Sequence, residues 1–311
     1  LIMQHRPLPQ LQQLFLTDGG LETDMIFSRG VDLPFFASIT MLRSPEGREL
    51  LKAYFRSYLG VAAQREVGFL LESASWRGSP AWAEPLGLTP SELDASNVAS
   101  VELLHELRQE FAPAGIPIVI SACIGPRGDG YDPGRIMSPE EAEEYHRHQA
   151  HVLASAEPDM LSALTINNLN EAIGITRAVA TTALPFALSF TVETDGNLPS
   201  GEQLGSAINA VDAATDGYPA YYMINCAHPT HFRNTLDGHN GWADRVQGMR
   251  ANASSCSHAE LDVMTELDAG DPVALANEYR TIRDRHPQIN VLGGCCGTDL
   301  RHVEAIAQRC I

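Results

Sequence analysis

Basic residues are scarce in this 311-residue chain: 21 Lys and Arg stand against 39 Asp and Glu, for a formal net charge of −18. Binding to a nucleic-acid backbone needs a basic footprint, so that partner class is excluded, and the acidic surface is read as a solubility feature. Long hydrophobic runs are missing as well. No apolar stretch approaches the roughly 18 residues of a membrane helix, and the opening Leu1-Ile2-Met3-Gln4-His5-Arg6 contains no apolar leader core. A membrane partner is therefore not expected, and a reducing cytoplasm is. No Gly-x-Gly-x-x-Gly follows the first apolar run, which argues against a dinucleotide-binding sheet. No low-complexity linker divides the chain, so a single domain over residues 1–311 is expected.

What is present is a repeated pattern. Apolar runs of strand length recur at residues 15–17, 68–71, 117–121, 159–164, 185–190, 221–224, 246–250 and 289–292. The seventh, Val246-Gln247-Gly248-Met249-Arg250, is the weakest. Helical patterns fill the gaps. Ser44-Pro45, Thr89-Pro90, Ser138-Pro139 and Asp271-Pro272 each put a capping side chain before a proline in the first turn, a helix-start signature. Further helices are read over 170–180, 201–214, 229–237 and 299–309. Eight buried strands alternating with eight helices predict an α/β fold, a single parallel (β/α)₈ TIM barrel, with an open doubly wound sheet as the alternative. In such a barrel the C-terminal ends of the strands carry the site, and the loops 129–134 and 195–201 fall on that side.

Six cysteines are present: Cys123, Cys226, Cys256, Cys295, Cys296 and Cys310. A chain of this size does not need disulfides. Gly293-Gly294-Cys295-Cys296-Gly297 follows the eighth strand, and Asn225-Cys226 follows the sixth. Neighbouring side chains of a regular strand leave on opposite faces; glycine permits the backbone geometry that turns both sulfurs toward one point. Three thiolates at one rim with no fourth protein ligand is the open arrangement of a catalytic zinc site, and thiolate softness favours Zn²⁺ over magnesium or calcium. Two buried inert thiols with a chance third neighbour are the alternative. Cys123, ending the third strand, is a possible substitute ligand, whereas Cys256 and Cys310 are read as incidental. His146, His148 and His151 are read as residues of a helix surface, and His228 as either a neighbour of the ligands or a loop residue.

Asp18-Gly19-Gly20 after the first strand, Asn225-Cys226 after the sixth and Gly293-Gly294-Cys295-Cys296-Gly297 after the eighth together resemble the zinc-dependent homocysteine S-methyltransferases, over nearly the whole chain. The resemblance implies zinc on Cys226, Cys295 and Cys296. It also implies methyl transfer from a small onium donor, of the S-methylmethionine, S-adenosylmethionine or betaine type, to the thiolate of homocysteine, giving methionine. Asp18 matches the carboxylate that contacts the acceptor's amino group, the N–H groups of Gly19 and Gly20 match those that take its carboxylate, and Asn225 falls among the substrate contacts. One departure stands out. Many relatives carry Glu-Thr at the end of the fourth strand, where this chain has Leu164-Thr165, and leucine accepts no hydrogen bond. Glu193, ending the fifth strand, and Glu72, ending the second, are the candidate replacements, Glu72 having an ion pair with Arg77 or Arg127 as its ordinary alternative. Trp76, Trp82, Tyr131 and Tyr222 are candidates for an aromatic surface under an onium donor. A different thiol or selenol acceptor, or a zinc-binding barrel without catalysis, are the alternative functions. The sequence leaves the oligomeric state open.

Overall fold

The computed structural model describes residues 8–237 and 241–311; the opening hexapeptide in which no leader was read lies outside them. Eight parallel strands close into a barrel in sequence order, β1 pairing with β8. They are β1 Phe15–Leu16, β2 Gly68–Glu72, β3 Ile118–Ile124, β4 Met160–Ile166, β5 Phe186–Phe190, β6 Tyr221–Asn225, β7 Val246–Ala251 and β8 Val291–Gly294. One main helix follows each strand: α1 Pro45–Gln64, α2 Pro90–Phe111, α3 Pro139–Ser155, α4 Leu169–Ala180, α5 Leu204–Ala214, α6 Pro229–Leu236, α7 Pro272–Arg285 and α8 Leu300–Cys310. The (β/α)₈ expectation is met, and the weak seventh strand is a full member of the barrel.

The helix starts form as the cap-then-proline pattern predicts. Ser44 accepts the Gly47 N–H, and Asp271 accepts those of Val273 and Ala274. Thr89 with Glu92, and Ser138 with Glu141, form reciprocal capping boxes. Each cap satisfies amide groups that the first helical turn leaves without partners. The outer faces of the strands and the inner faces of the helices make one large apolar layer, including Leu71, Leu161, Leu188 and Ile224. Phe15, Leu70, Met160, Tyr221, Met223 and Val291 fill the barrel interior. Gln10 lies among the interior side chains, its amide reaching the Met160 sulfur and the Tyr221 hydroxyl. The interior is thus packed rather than hollow, and the charged groups Asp18, Glu72 and Arg250 lie toward the C-terminal strand ends.

His146 corrects the reading of that helix. It is fully buried, and its Nε2 meets Glu171 Oε1 at 2.8 Å. The Glu171 carboxylate, buried at the start of α4, also accepts the Arg127 N–H; a buried carboxylate needs such partners, and this one draws His146 off the surface. His148 and His151 are exposed, as expected. Among the described residues no helix is long and apolar enough to cross a membrane.

Candidate metal centre and its cavity

At the C-terminal ends of the strands lies a cavity of about 430 Å³, lined by residues that include Asp18, Glu22, Leu164, Cys226, Cys295 and Cys296. Three features of local backbone position the cysteines. Cys226 directly follows β6 with φ of +54°, a left-handed conformation that L residues avoid. Thr165 in β4 is also left-handed, at +61°, inside a register shift between Ala163 and Ile166. Its freed N–H donates to Asn225 Oδ1 at 2.8 Å.

The third feature is glycine. A Cβ on Gly293 would overlap Thr17, and one on Gly294 would overlap Thr298. Those two glycines therefore let β1 and the start of α8 close onto β8, and the cysteines gain their common direction only beyond the strand, where Gly297 turns with φ of +79°. Glycine acts here through close approach and a following turn rather than by bending the strand itself.

The Sγ atoms of Cys226, Cys295 and Cys296 all lie within 4.8 Å of one another, and no other group of three His, Cys, Asp or Glu residues among those described is so placed. Cys226 and Cys295 stand as a disulfide pair with Cα atoms 5.4 Å apart, and Cys296 is a free thiol. Every sulfur has a hydrogen-bond donor: Thr165 Oγ1 for Cys226 at 3.7 Å, Asn225 Nδ2 for Cys295 at 3.8 Å, and Tyr131 Oη for Cys296 at 3.6 Å. Donors aimed at sulfur suit anionic thiolates, and outer-shell bonds of this kind orient metal ligands. Once reduced, the trio fits a soft cation with a position left open toward the cavity. Cys123 lines the same cavity but stands apart from the trio. Burial, reinforced by Glu72, holds its thiol well above the ordinary value, so it is protonated and inert. Cys256 lies in a loop and Cys310 at the end of α8, both away from the cavity.

The predicted substrate residues divide. Asp18 and Glu72 line the cavity, but both are engaged by Arg250, which is 6 % exposed. Arg250 Nη2 meets Asp18 Oδ1 at 2.8 Å and Nη1 meets Glu72 Oε2 at 3.4 Å. The remaining oxygens take Tyr54 Oη at 3.1 Å and Ser162 Oγ at 2.5 Å. Burial raises both carboxyl pKa values, Arg250 pulling them back down. The partner of Glu72 is thus Arg250 of β7, not Arg77 or Arg127. Gly20 N–H is bonded to Thr298, whereas the buried Gly19 N–H has no partner among the described residues. Asn225 lines the cavity, yet its amide is spent on Thr165, Ser189 and Cys295, latching β4, β5 and β8 together.

Glu193 lies outside the cavity. Its carboxylate faces His258 Nδ1 at 3.0 Å, and His258 Nε2 reaches the Cys226 carbonyl at 2.7 Å, so Glu193 steadies the left-handed turn from behind. Leu164 lines the cavity, with its carbonyl accepting the Trp76 Nε1–H at 3.1 Å. The Trp76 and Trp82 rings sandwich the guanidinium of Arg77 at 4.2 and 4.1 Å, so this aromatic pair already holds a cation of its own. Burial lowers the Arg77 pKa to about 10. Tyr131 lines the cavity with its ring stacked 3.8 Å from His258, whereas Tyr222 packs on Phe190 away from it. His228 caps α6, accepting the Thr230 N–H.

Arg250, Thr165, Tyr54 and Glu22 were not singled out in the sequence. The available signal for Arg250 was an arginine inside an otherwise buried strand, which demands buried anionic partners. Glu22 follows Asp18-Gly19-Gly20 by two residues, and nothing in its spacing marks it.

The family model described as homocysteine S-methyltransferase matches residues 15–310. Homocysteine S-methyltransferase 4 of Zea mays is 25% identical over 319 residues, covering 94% of this chain and 88% of that protein. Homocysteine S-methyltransferase 1 of Arabidopsis thaliana is 25% identical over 315 residues, covering 94% and 92%. The homocysteine methyltransferase MmuM of Escherichia coli, in an oxidised form, superposes with a TM-score of 0.74 at 23% identity, covering 96% of each chain, and so shares the fold.

Proposed function

Because the chain belongs to the homocysteine S-methyltransferase family, we propose that it transfers a methyl group from a small onium donor to the thiolate of homocysteine, giving methionine, with zinc held by Cys226, Cys295 and Cys296. S-methylmethionine, S-adenosylmethionine and betaine exemplify the donor class. The observation that carries this reading is the convergence of three sulfurs within 4.8 Å at the cavity floor, each facing a hydrogen-bond donor. MmuM, which shares the fold, has been solved in a metallated form as well. Zinc is the metal that a three-thiolate set with an open position suits best. A reducing compartment such as the cytoplasm would keep these thiols available to the metal.

Zinc, when bound, lowers the acceptor thiol's pKa and supplies it as a thiolate at neutral pH. The remaining work belongs to the chain. Thr165, Asn225 and Tyr131 spread the negative charge of the ligand sulfurs and fix their directions. Leu164 and Trp76 give the cavity an apolar wall that excludes water from the reacting atoms. The acceptor sulfur attacks the methyl carbon in line. A sulfur–carbon bond forms as the carbon–onium bond breaks, and the electron pair leaves with a neutral sulfide or amine. The reaction removes the donor's positive charge and the acceptor's negative charge together, so alignment in a dry site supplies most of the acceleration.

Reduced wild-type protein is expected to hold about one zinc per chain, and Cys226→Ser, Cys295→Ser and Cys296→Ser to lose both the zinc and methyl transfer. Elemental analysis and a methyl-transfer assay check this; full zinc content in all three variants would sink the proposal. A panel of thiols and selenols tested with the three donors should show homocysteine turning over best. Bound zinc without transfer from any donor would favour a zinc-binding barrel instead.

A further inference from the structure

Resting on that reading, we propose that Glu22 is the residue that holds the ammonium group of the amino-acid acceptor. The carboxylates expected to do so are otherwise engaged. Asp18 and Glu72 share the Arg250 guanidinium, so an ammonium drawn to either would be placed against a cation already there. Glu193 lies outside the cavity, Leu164 offers no acceptor, and the other carboxylates that line it, Asp129, Asp262, Glu266 and Asp268, are exposed to solvent.

Glu22 is different. It is half-buried in the short helix Leu21–Thr23 that starts after Gly20, and it lines the cavity with the three cysteines. Its side-chain hydrogen bond comes from Ser38 Oγ to Oε1 at 2.7 Å. No Lys, Arg or His among the described residues lies within ion-pair distance of it. Arg250 and Arg77 act on it only from beyond contact distance. A carboxylate drawn partly out of water without a contacting counter-ion is costly, and a ligand cation supplies the missing contact. The carboxyl pKa is accordingly raised, burial being the largest cause.

The position suits the acceptor. An α-amino acid carries its ammonium and carboxylate on one carbon, so the groups that bind them must be neighbours. Gly19 and Glu22 lie on the same loop, and the buried Gly19 N–H has no partner among the described residues. Arg250 adds to this. Of its five N–H groups four are placed, on Gly294, Glu72, Asp18 and Gly19 oxygens, and one on Nη1 has no described partner. An unpaired carboxylate beside unpaired N–H donors is a receptor for a zwitterion. Asn252 Oδ1, a buried cavity-lining acceptor also without a partner, carries no charge and does not replace Glu22 for an ammonium.

The test compares methionine, the expected product, with 4-(methylsulfanyl)butanoate, the same molecule without its amino group, by calorimetry on reduced, zinc-loaded protein. Neither ligand needs a thiolate to bind. Wild type is expected to bind methionine at least about tenfold more tightly. Glu22→Gln, which keeps an oxygen for Ser38, should bring the two ligands to within about twofold by weakening methionine alone. Ser38→Ala, which leaves the charge in place, should retain the preference, and unchanged melting temperatures would exclude misfolding as the cause. A tenfold preference surviving in Glu22→Gln, equal weakening of both ligands, or a rise in KM for the onium donor alone would each overturn the assignment. Wild type that binds neither ligand and moves no methyl group would overturn the transferase reading itself, and this proposal with it.

Discussion

The Tyr131 hydroxyl stands 3.6 Å from the Cys296 sulfur, brought there by a loop more than 160 residues upstream in sequence. Its ring is fixed by stacking on His258, whose imidazole also bonds the Cys226 carbonyl. One side-chain cluster thus supports two of the three cysteines, Cys296 through its sulfur and Cys226 through its carbonyl. Tyr131→Phe keeps the stack and removes the bond to sulfur. Outer-shell losses of this kind typically weaken metal binding about 10- to 100-fold, and the lower part of that range is expected here. Competition with a chromophoric zinc chelator measures the change, and melting of the zinc-free protein should be unaltered. Arg250 makes a second point at this scale. A charge taken from water is tolerated when it is paired and hydrogen-bonded, and the four oxygens around this guanidinium meet that condition. The same pairing removes Asp18 and Glu72 from the supply of free anions, whereas Glu22 has no Lys, Arg or His within ion-pair distance among the described residues.

At the scale of elements, the two cysteine-bearing segments are held from both ends. On the β6 side, Asn225 ties β4, β5 and β8 through one amide. On the β8 side, the turn through Gly297 runs directly into α8, whose cap is Asp299, accepting the Arg301 N–H at 3.0 Å. Burial tends to raise the Asp299 pKa, but hydrogen bonds from Arg301 and His302 outweigh it and hold it below the ordinary carboxyl value. Asp299→Ala is expected to cost about 1 kcal/mol at pH 7, the usual loss for a helix cap. The sign of the pH dependence follows from the depressed pKa. The folded state prefers the charged carboxylate, so the contribution is present above the ordinary value of 3.8 and is lost as pH falls through the lowered one. Denaturant unfolding of both proteins across that range should show the wild-type advantage shrinking toward acid.

At the scale of the whole molecule, an ion shared by Cys226 and the Cys295–Cys296 pair would, in the reduced protein, join β6 to β8 across β7, the strand that pairs with both. Removing it with a chelator under reducing conditions should therefore lower thermal stability. At a free zinc concentration of 1,000 times Kd the stabilisation is about 4 kcal/mol, a shift on the order of 10 °C. Calorimetry with zinc, with chelator, and after zinc is restored measures it, and the Cys296→Ser variant should show little response.

The barrel was legible in the chain because its determinants are local. Apolar runs of strand length, cap-then-proline starts such as Ser138-Pro139, and strand-end cysteines all act within a few residues of themselves. The seventh strand was faint because Gln247, Gly248 and Arg250 break its apolar pattern, and two of these serve the interior: Gly248 leaves room for Met223, and Arg250 pairs with Asp18 and Glu72. His146 was misread for a related reason, its partner Glu171 lying on the next helix.

The sequence by itself determined the eightfold alternation of strand and helix and the strand-end positions of Cys226, Cys295 and Cys296. These follow from hydrophobic period, helix capping and residue chemistry, which need no knowledge of distant neighbours. Only the tertiary structure decided which acidic residues keep an unpaired charge. Arg250 on β7 neutralises groups at the ends of β1 and β2, and His258 draws Glu193 behind Cys226. Glu22 faces the cavity half-buried, with Ser38 as its side-chain partner, where Asp129, Asp262, Glu266 and Asp268 are exposed. An ion pair depends on separation in space, and barrel closure brings together residues more than 200 positions apart.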